Sequence, residues 1–417
     1  MNRSASIVAI VLTTAFAVAD TQTARALTPL NDLGTGLYLN LYQGGLYPNG
    51  LNEMPAAHAA VGLARATAIQ PLDTQGQAAA DGKYALVSIG MSNTTQEFCG
   101  ANQSSACRSW TFMGQSAVHP SVDRESLLIV NGAAGGKSAA FWDSPSDPDY
   151  DRVVTDWLTP NGLSENQVQA AWVKVANPGP TISLPSANSD THRLVRQMGD
   201  IARALKTRYP NLQQVFLSSR VYAGYATTSL NPEPYAYESG FAVKWLIEAQ
   251  IKQMESGTID TLAGDLNYNT GTAPWLAWGP YLWADGLNPR SDGLIWLRSD
   301  LANDGTHPST AGEQKVADLL LDFMLTSPFT QPWFLTPITG DYNDDGEVDA
   351  ADYVVWRKND GTPTAYDMWR ANFGRTSAAG AADTNGTAVP EPGSLVLLLC
   401  VLPLLRRTKV AKRSDNH

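Results

Sequence analysis

The sequence predicts an α/β fold on a parallel sheet, and three observations predict it. Short apolar runs of strand type occur at 85–89, 127–130, 172–175 and 215–217. Between the last two, Leu194, Val195, Met198, Ile201, Ala202 and Leu205 recur at helical spacing, and Phe241, Trp245, Glu248 and Ile251 mark another helix with Glu248 as its one polar member. Strand and helix in alternation give parallel strands joined by crossovers, with helices covering both faces of the sheet.

Composition bounds the function. A hydrophobic content of 43% with 12 Trp in 417 residues supports a packed core plus appendages. Lysine and arginine total 29 against 40 acidic residues, a net charge of −11, which excludes nucleic acid as the main partner because phosphate binding needs a basic face. Residues 1–26 read as a secretory signal: Arg3, an apolar stretch over 5–19, and small-x-small sites at Ala17-Val-Ala19 and Ala24-Arg-Ala26. The chain is therefore expected to be exported.

The elements then follow in order. The run at 85–89 leads through Gly90-Met91 to Ser92. Cys99 and Cys107 bracket a polar loop just beyond and are spaced for a local disulfide, two free thiols being the other state; Cys400 lies in a separate apolar segment. The second run leads into Asn131-Gly132-Ala133, and the third into Asn177. Trp275, Trp278, Tyr281, Trp283 and Trp296 are expected to be mostly core, with a glycan cleft as the sharper reading. Thr310-x-x-Glu313 reads as a capping box opening the last large helix, whose apolar stripe is Val316, Leu319, Leu320, Phe323 and Met324. A proline-rich stretch over 327–337 reads as a linker closing a domain of residues 27–330.

The chemistry is carried by Asp304-Gly-Thr-His307, an acid three residues before a histidine, just ahead of that helix. Such a histidine can take a proton from a nucleophile while the aspartate fixes its tautomer. Of five histidines, His58 lies in an alanine-rich packing stretch, His119 precedes Pro120 in a polar loop, His192 begins a helix beside Asp190, and His417 is the last residue; His307 alone combines the aspartate with a loop before a docking helix. Carboxyl ends of parallel strands gather at one crevice, so Ser92, the Gly132 turn and Asn177 are expected to converge there with His307. Ser92 would be the nucleophile. The amides of Ser92 and the Gly132 turn and the side chain of Asn177 would hold the oxyanion. An α/β-hydrolase elbow fits less well, because Thr94 stands where its second glycine belongs.

Over roughly residues 80–326 the chain resembles the SGNH (GDSL-type) hydrolases, a three-layer α/β/α family of esterases, lipases and carbohydrate deacetylases. The signature residues would be Ser92, Gly132, Asn177 and His307. Asp304-Gly-Thr-His307-Pro-Ser matches closely. Met91 replaces the usual aspartate before the serine, Val175 and Pro178 flank Asn177 in place of glycine and aspartate, and the glycines of Val-Asn-Gly132-Ala-Ala-Gly135-Gly136 are displaced by about one residue. The resemblance implies a serine carboxylic-ester hydrolase acting on acylated carbohydrate, with no cofactor for catalysis. The alternative is a non-catalytic surface protein that binds glycan or protein on the same fold.

Residues 338–376 form a different unit. Asp341, Asn343, Asp345, Asp349 and Asp352 place oxygens at positions one, three, five, nine and twelve of a calcium-type loop, with Gly346 at six and the Glu347 carbonyl at seven. The loop and the helix after it resemble a type I dockerin repeat, which implies Ca2+ binding and a cohesin-like partner. A full dockerin has two such loops, and the segment around Asp367-Met-Trp369 has none. Residues 377–388 are a Thr/Ser/Ala/Gly-rich linker. Residues 389–413, with Val-Pro-Glu-Pro, an apolar core and a basic end, resemble a PEP-CTERM sorting signal, implying a membrane anchor before processing.

Overall fold

The computed structural model describes residues 27–376 apart from 101–105, 344 and 360. The expected signal, the 377–388 linker, the sorting signal, Cys400 and His417 lie outside the described residues. Five parallel strands form one sheet: β1 (Tyr84–Gly90), β2 (Leu127–Val130), β3 (Val168–Lys174), β4 (Gln214–Leu217) and β5 (Trp275–Trp278), in spatial order β2-β1-β3-β4-β5.

Side chains alternate across the sheet, and both faces are buried. Val87, Ile89, Val173, Val215 and Leu276 point to one side, against the apolar stripes of α3 (Asp190–Arg208) and α4 (Tyr235–Ser256). Leu86, Trp172, Phe216 and Trp275 point to the other, against α1 (Ala56–Thr67), α2 (Ser92–Phe98) and α5 (Thr310–Thr326). The result is the expected three-layer α/β/α arrangement. Among the described residues no helix is long and apolar enough to cross a membrane.

Trp275, Trp283 and Trp296 are fully buried, and Trp278 and Tyr281 nearly so, so this stretch is core as expected, with Trp275–Trp278 forming the fifth strand. Other local expectations change. The proline-rich stretch is no spacer. Trp333 and Phe334 are buried, the Trp333 indole donates to Gln214 Oε1 at 2.8 Å, and Leu335 bridges to Val122. The cap of α5 is Ser309, whose Oγ accepts the Gly312 amide, so the Thr310–Glu313 box does not form. Glu313 is instead buried and accepts hydrogen bonds from Arg108 and the Trp110 indole. A buried carboxylate is better satisfied by a guanidinium than by one solvent-facing amide.

His58 on α1 packs its ring on Trp275 at 5.1 Å, with Nε2 2.9 Å from the Leu276 carbonyl, and burial holds its pKa down at about 4. The folded ring therefore stays neutral where an unfolded histidine, with a pKa of about 6.5, takes up a proton. Its contribution is full above that value. As pH falls from about 6.5 to about 4 the fold is expected to lose about 3 kcal/mol through this residue. Melting temperature against pH should fall less steeply in this window for His58→Gln; identical slopes would show that His58 does not carry the dependence.

Candidate active site

The spatial order of the strands reverses between β1 and β3: the chain leaves β1 toward β2 on one side and then places β3 on the other. Crossovers diverge there, leaving a crevice at the carboxyl ends. Ser92 follows β1 across that crevice from Asn177, which follows β3.

The strand-to-helix turn at Ser92 depends on glycine. Gly90 has φ +158°, and a Cβ there would lie 2.3 Å from the Lys174 carbonyl oxygen and 2.4 Å from Thr94 Oγ1. Ser92 is the first residue of α2, so its backbone amide lies in the first turn, where N–H groups have no partner within the helix. Thr94 Oγ1 donates to the Lys174 carbonyl at 2.7 Å and accepts the Met91 amide, tying the turn to β3.

The acid–base loop is fixed as firmly. Gly305 takes φ +63°, and any Cβ would meet the Tyr225 carbonyl oxygen at 1.9 Å, so only glycine lets the loop settle against the 225–228 segment. Thr227 donates its amide to the Asp304 carbonyl at 2.9 Å, and Ala302 and His307 close the loop with a backbone bond of 2.8 Å. Asn93, next to the serine, donates from its buried side chain to the Thr306 carbonyl at 2.8 Å. One hydrogen bond thus couples the helix of Ser92 to the loop of His307.

Ser92 Oγ lies 2.8 Å from His307 Nε2, and His307 Nδ1 lies 2.5 Å from Asp304 Oδ2. Asp304 Oδ1 accepts the amides of Thr306 and His307 at 2.9 and 3.0 Å. Partial burial pushes the Asp304 carboxyl up, but the hydrogen bonds from the His307 ring and these two amides outweigh it and hold the group below its ordinary value. An ionised Asp304 requires the proton of neutral His307 to sit on Nδ1, which leaves the Nε2 lone pair facing the serine hydroxyl.

The residues expected to hold an oxyanion are placed less simply. Asn177 is buried, and its side-chain N–H donates to the Asp190 carbonyl at 3.0 Å, leaving one amide hydrogen. Gly132 does not offer its amide, which turns back onto the Val130 carbonyl at 3.1 Å. Its neighbours are also engaged, Ala133 with Ser88 Oγ and Ala134 with the Gly90 carbonyl. A Cβ at Gly132 would lie 2.5 Å from the Ser88 carbonyl, so this glycine serves close packing of the turn on β1. Among the described residues the amides of Gly135 and Gly136 have no hydrogen-bond partner, and both glycines are exposed.

Beneath Ser92 lies a charge cluster that sequence reasoning missed. The Lys174 ammonium, at the end of β3, pairs with the Glu97 carboxylate on α2, and both are almost wholly buried. Burial pushes the Glu97 carboxyl up and the Lys174 ammonium down, each opposed by its partner. Arg220, just past β4, is equally buried, and among the described residues its Nε and Nη1 find no hydrogen-bond partner. A lysine interrupting the apolar run Trp172-Val-Lys-Val was the available signal. Cys99 and Cys107 are joined by a disulfide at the end of α2.

No protein-family model matches this chain, and no curated protein does. Among solved structures it is similar to an extracellular lipase from Streptomyces rimosus (15% identity over 57% of this chain and 99% of that one, TM-score 0.28) and to Axe2, an acetylxylan esterase from Geobacillus stearothermophilus (17% identity over 62% and 99%, TM-score 0.30). It is also similar to a GDSL-like lipase from Parabacteroides merdae (15% identity over 61% and 97%, TM-score 0.29).

The acidic loop folds on its own hydrogen bonds. Asp352 accepts the amides of Tyr342, Asn343 and Asp349, Asp341 those of Asp345 and Gly346, and Asp345 that of Glu347. Among the described residues no group of three or more His, Cys, Asp or Glu is arranged to hold a metal ion. Val348 exchanges backbone bonds with Gly374 and Arg375. Helices α6 (Ala350–Asn359) and α7 (Pro363–Asn372) pack through Tyr353, Trp356, Tyr366 and Trp369.

Proposed function

We propose that the protein is an exported serine esterase that hydrolyses acyl esters, acetyl esters above all, of carbohydrates. The observation that carries this reading is the 2.8 Å contact between Ser92 Oγ and His307 Nε2, with Asp304 on the far ring nitrogen. In the first half-reaction Ser92 Oγ attacks the acyl carbon and His307 Nε2 takes the hydroxyl proton. The oxyanion is held by the Ser92 amide, the remaining Asn177 amide hydrogen and, in place of Gly132, the amides of Gly135 and Gly136. His307 then gives its proton to the alkoxide of the sugar as the carbon–oxygen bond breaks, leaving acyl-Ser92. Water, deprotonated by His307, attacks the acyl carbon and releases the carboxylic acid as the proton returns to Ser92.

The carbohydrate acceptor and export rest on the sequence resemblance and the amino-terminal signal. The decisive experiment treats the purified protein with a fluorophosphonate and measures hydrolysis of 4-nitrophenyl acetate and acetylated xylo-oligosaccharide. Ser92 should be labelled, and Ser92→Ala should lose labelling and lower kcat by about 10⁴-fold or more. An unlabelled Ser92 with unchanged hydrolysis in Ser92→Ala would favour the glycan- or protein-binding alternative.

A further inference from the structure

The buried Trp275–Trp296 stretch leaves the question of where a glycan would rest. The structure offers a cleft of about 370 Å³ on the α3–α4 face, bounded by Tyr42, Gln43, His192, Trp245, Glu248 and Asp260. That volume lies within the range of small-ligand sites, about 300–1,000 Å³. The Trp245 ring on α4 is partly exposed, with the His192 imidazole stacked on it at 5.4 Å and Tyr42 tilted beside it at 5.3 Å.

Polar groups interleave with these rings and are held in place. The Lys244 ammonium, itself buried, accounts for one oxygen of Glu248 and also donates to the Tyr47 carbonyl, so the carboxylate is oriented while its other oxygen is left over. Asp260 Oδ1 accepts the amides of Leu262 and Ala263, which leaves Oδ2 as an acceptor. The Ser189 hydroxyl lies 3.1 Å from His192 Nδ1; when it donates there, the ring proton sits on Nε2 as a donor. Gln43, exposed on a short antiparallel hairpin that pairs Leu37–Tyr38 with Tyr42–Gln43, brings both an amide donor and an acceptor.

We propose that this cleft binds one or two residues of a neutral glycan. A sugar ring presents an apolar C–H face and a rim of hydroxyls, which suits aromatic rings bordered by carboxylates, an amide and an imidazole. Leu41, Val195 and Leu262 complete the lining, and a phosphate would be repelled by the Glu248 and Asp260 carboxylates. The amino-terminal turn of α3 carries both His192 of the cleft and Asp190, whose carbonyl accepts the Asn177 side chain. Presentation of a neighbouring acylated unit to Ser92 rests on the esterase reading; the binding does not need Ser92.

The test uses the full chain carrying Ser92→Ala, titrated by calorimetry and tryptophan fluorescence with xylohexaose, cellohexaose and chitohexaose. One of these should bind, and Trp245→Ala should weaken it at least about tenfold. The exposed Gln43→Ala, which removes no packing, should weaken it several-fold. With Ser92 intact, both variants should raise KM for the acetylated oligosaccharide and leave 4-nitrophenyl acetate hydrolysis unchanged. No binding of any of the three oligosaccharides, or equal affinity in wild type and both variants, would overturn the proposal. Persistent 4-nitrophenyl acetate hydrolysis in Ser92→Ala would overturn the esterase reading and leave the binding result standing.

Discussion

Asp304→Asn is expected to lower kcat for a simple ester about 10⁴-fold with little change in KM or melting temperature. The reason lies in how the carboxylate is divided. Its Oδ1 already accepts two amides, from Thr306 and His307, so an asparagine would place its carbonyl oxygen there and its NH₂ against His307 Nδ1. An N–H facing Nδ1 forces the ring proton onto Nε2, pointing at Ser92 Oγ, and the base is gone. Because both amide bonds survive, the loop keeps its shape and the loss appears in kcat. A decrease of less than tenfold would show that Asp304 does not set the tautomer.

The largest stability effect is expected at Lys174. Lys174→Met strands the Glu97 carboxylate in the interior, at a cost of about 3–5 kcal/mol. In a domain of this size that is a drop of roughly 10 °C in melting temperature. Arg220, a buried cation whose pKa is lowered by burial and opposed by Glu97, brings the cost toward the lower end. The double variant Lys174→Met/Glu97→Leu should recover most of the loss, since an apolar pair of similar volume avoids desolvating two charges. Melting curves of the three proteins decide it. A single variant as stable as wild type would mean that the two groups are neutral in the folded chain.

The sheet was legible because four of its strands are short apolar runs bounded by polar turns, and the 194–205 stripe can only be a helix. The fifth strand was not, because Trp275-Leu-Ala-Trp278 has no β-branched residue and its two tryptophans, read as core, stand three apart rather than at the strand period of two. Helix α1 was missed for a related reason: its alanines and Gly62 look featureless until Trp275 packs against them, where a Cβ at Gly62 would come within 2.3 Å of the indole. Within the site, Asp304 and His307 were legible from local spacing, and Ser92 and Asn177 from strand ends. What could not be read is whatever depends on three-dimensional company. Asn93 holding Thr306, Lys174 meeting Glu97, and the Gly132 amide turning back on Val130 have no one-dimensional signature.

The contact between Ser92 and His307 closes a span of 215 residues and draws together the first strand of the sheet and the loop before α5. Ordering so long an intervening segment costs chain entropy that nearby pairings do not repay. The serine and the imidazole are therefore brought into register only after the crossovers between them have docked. A partly assembled polypeptide would carry every one of these side chains and remain chemically silent.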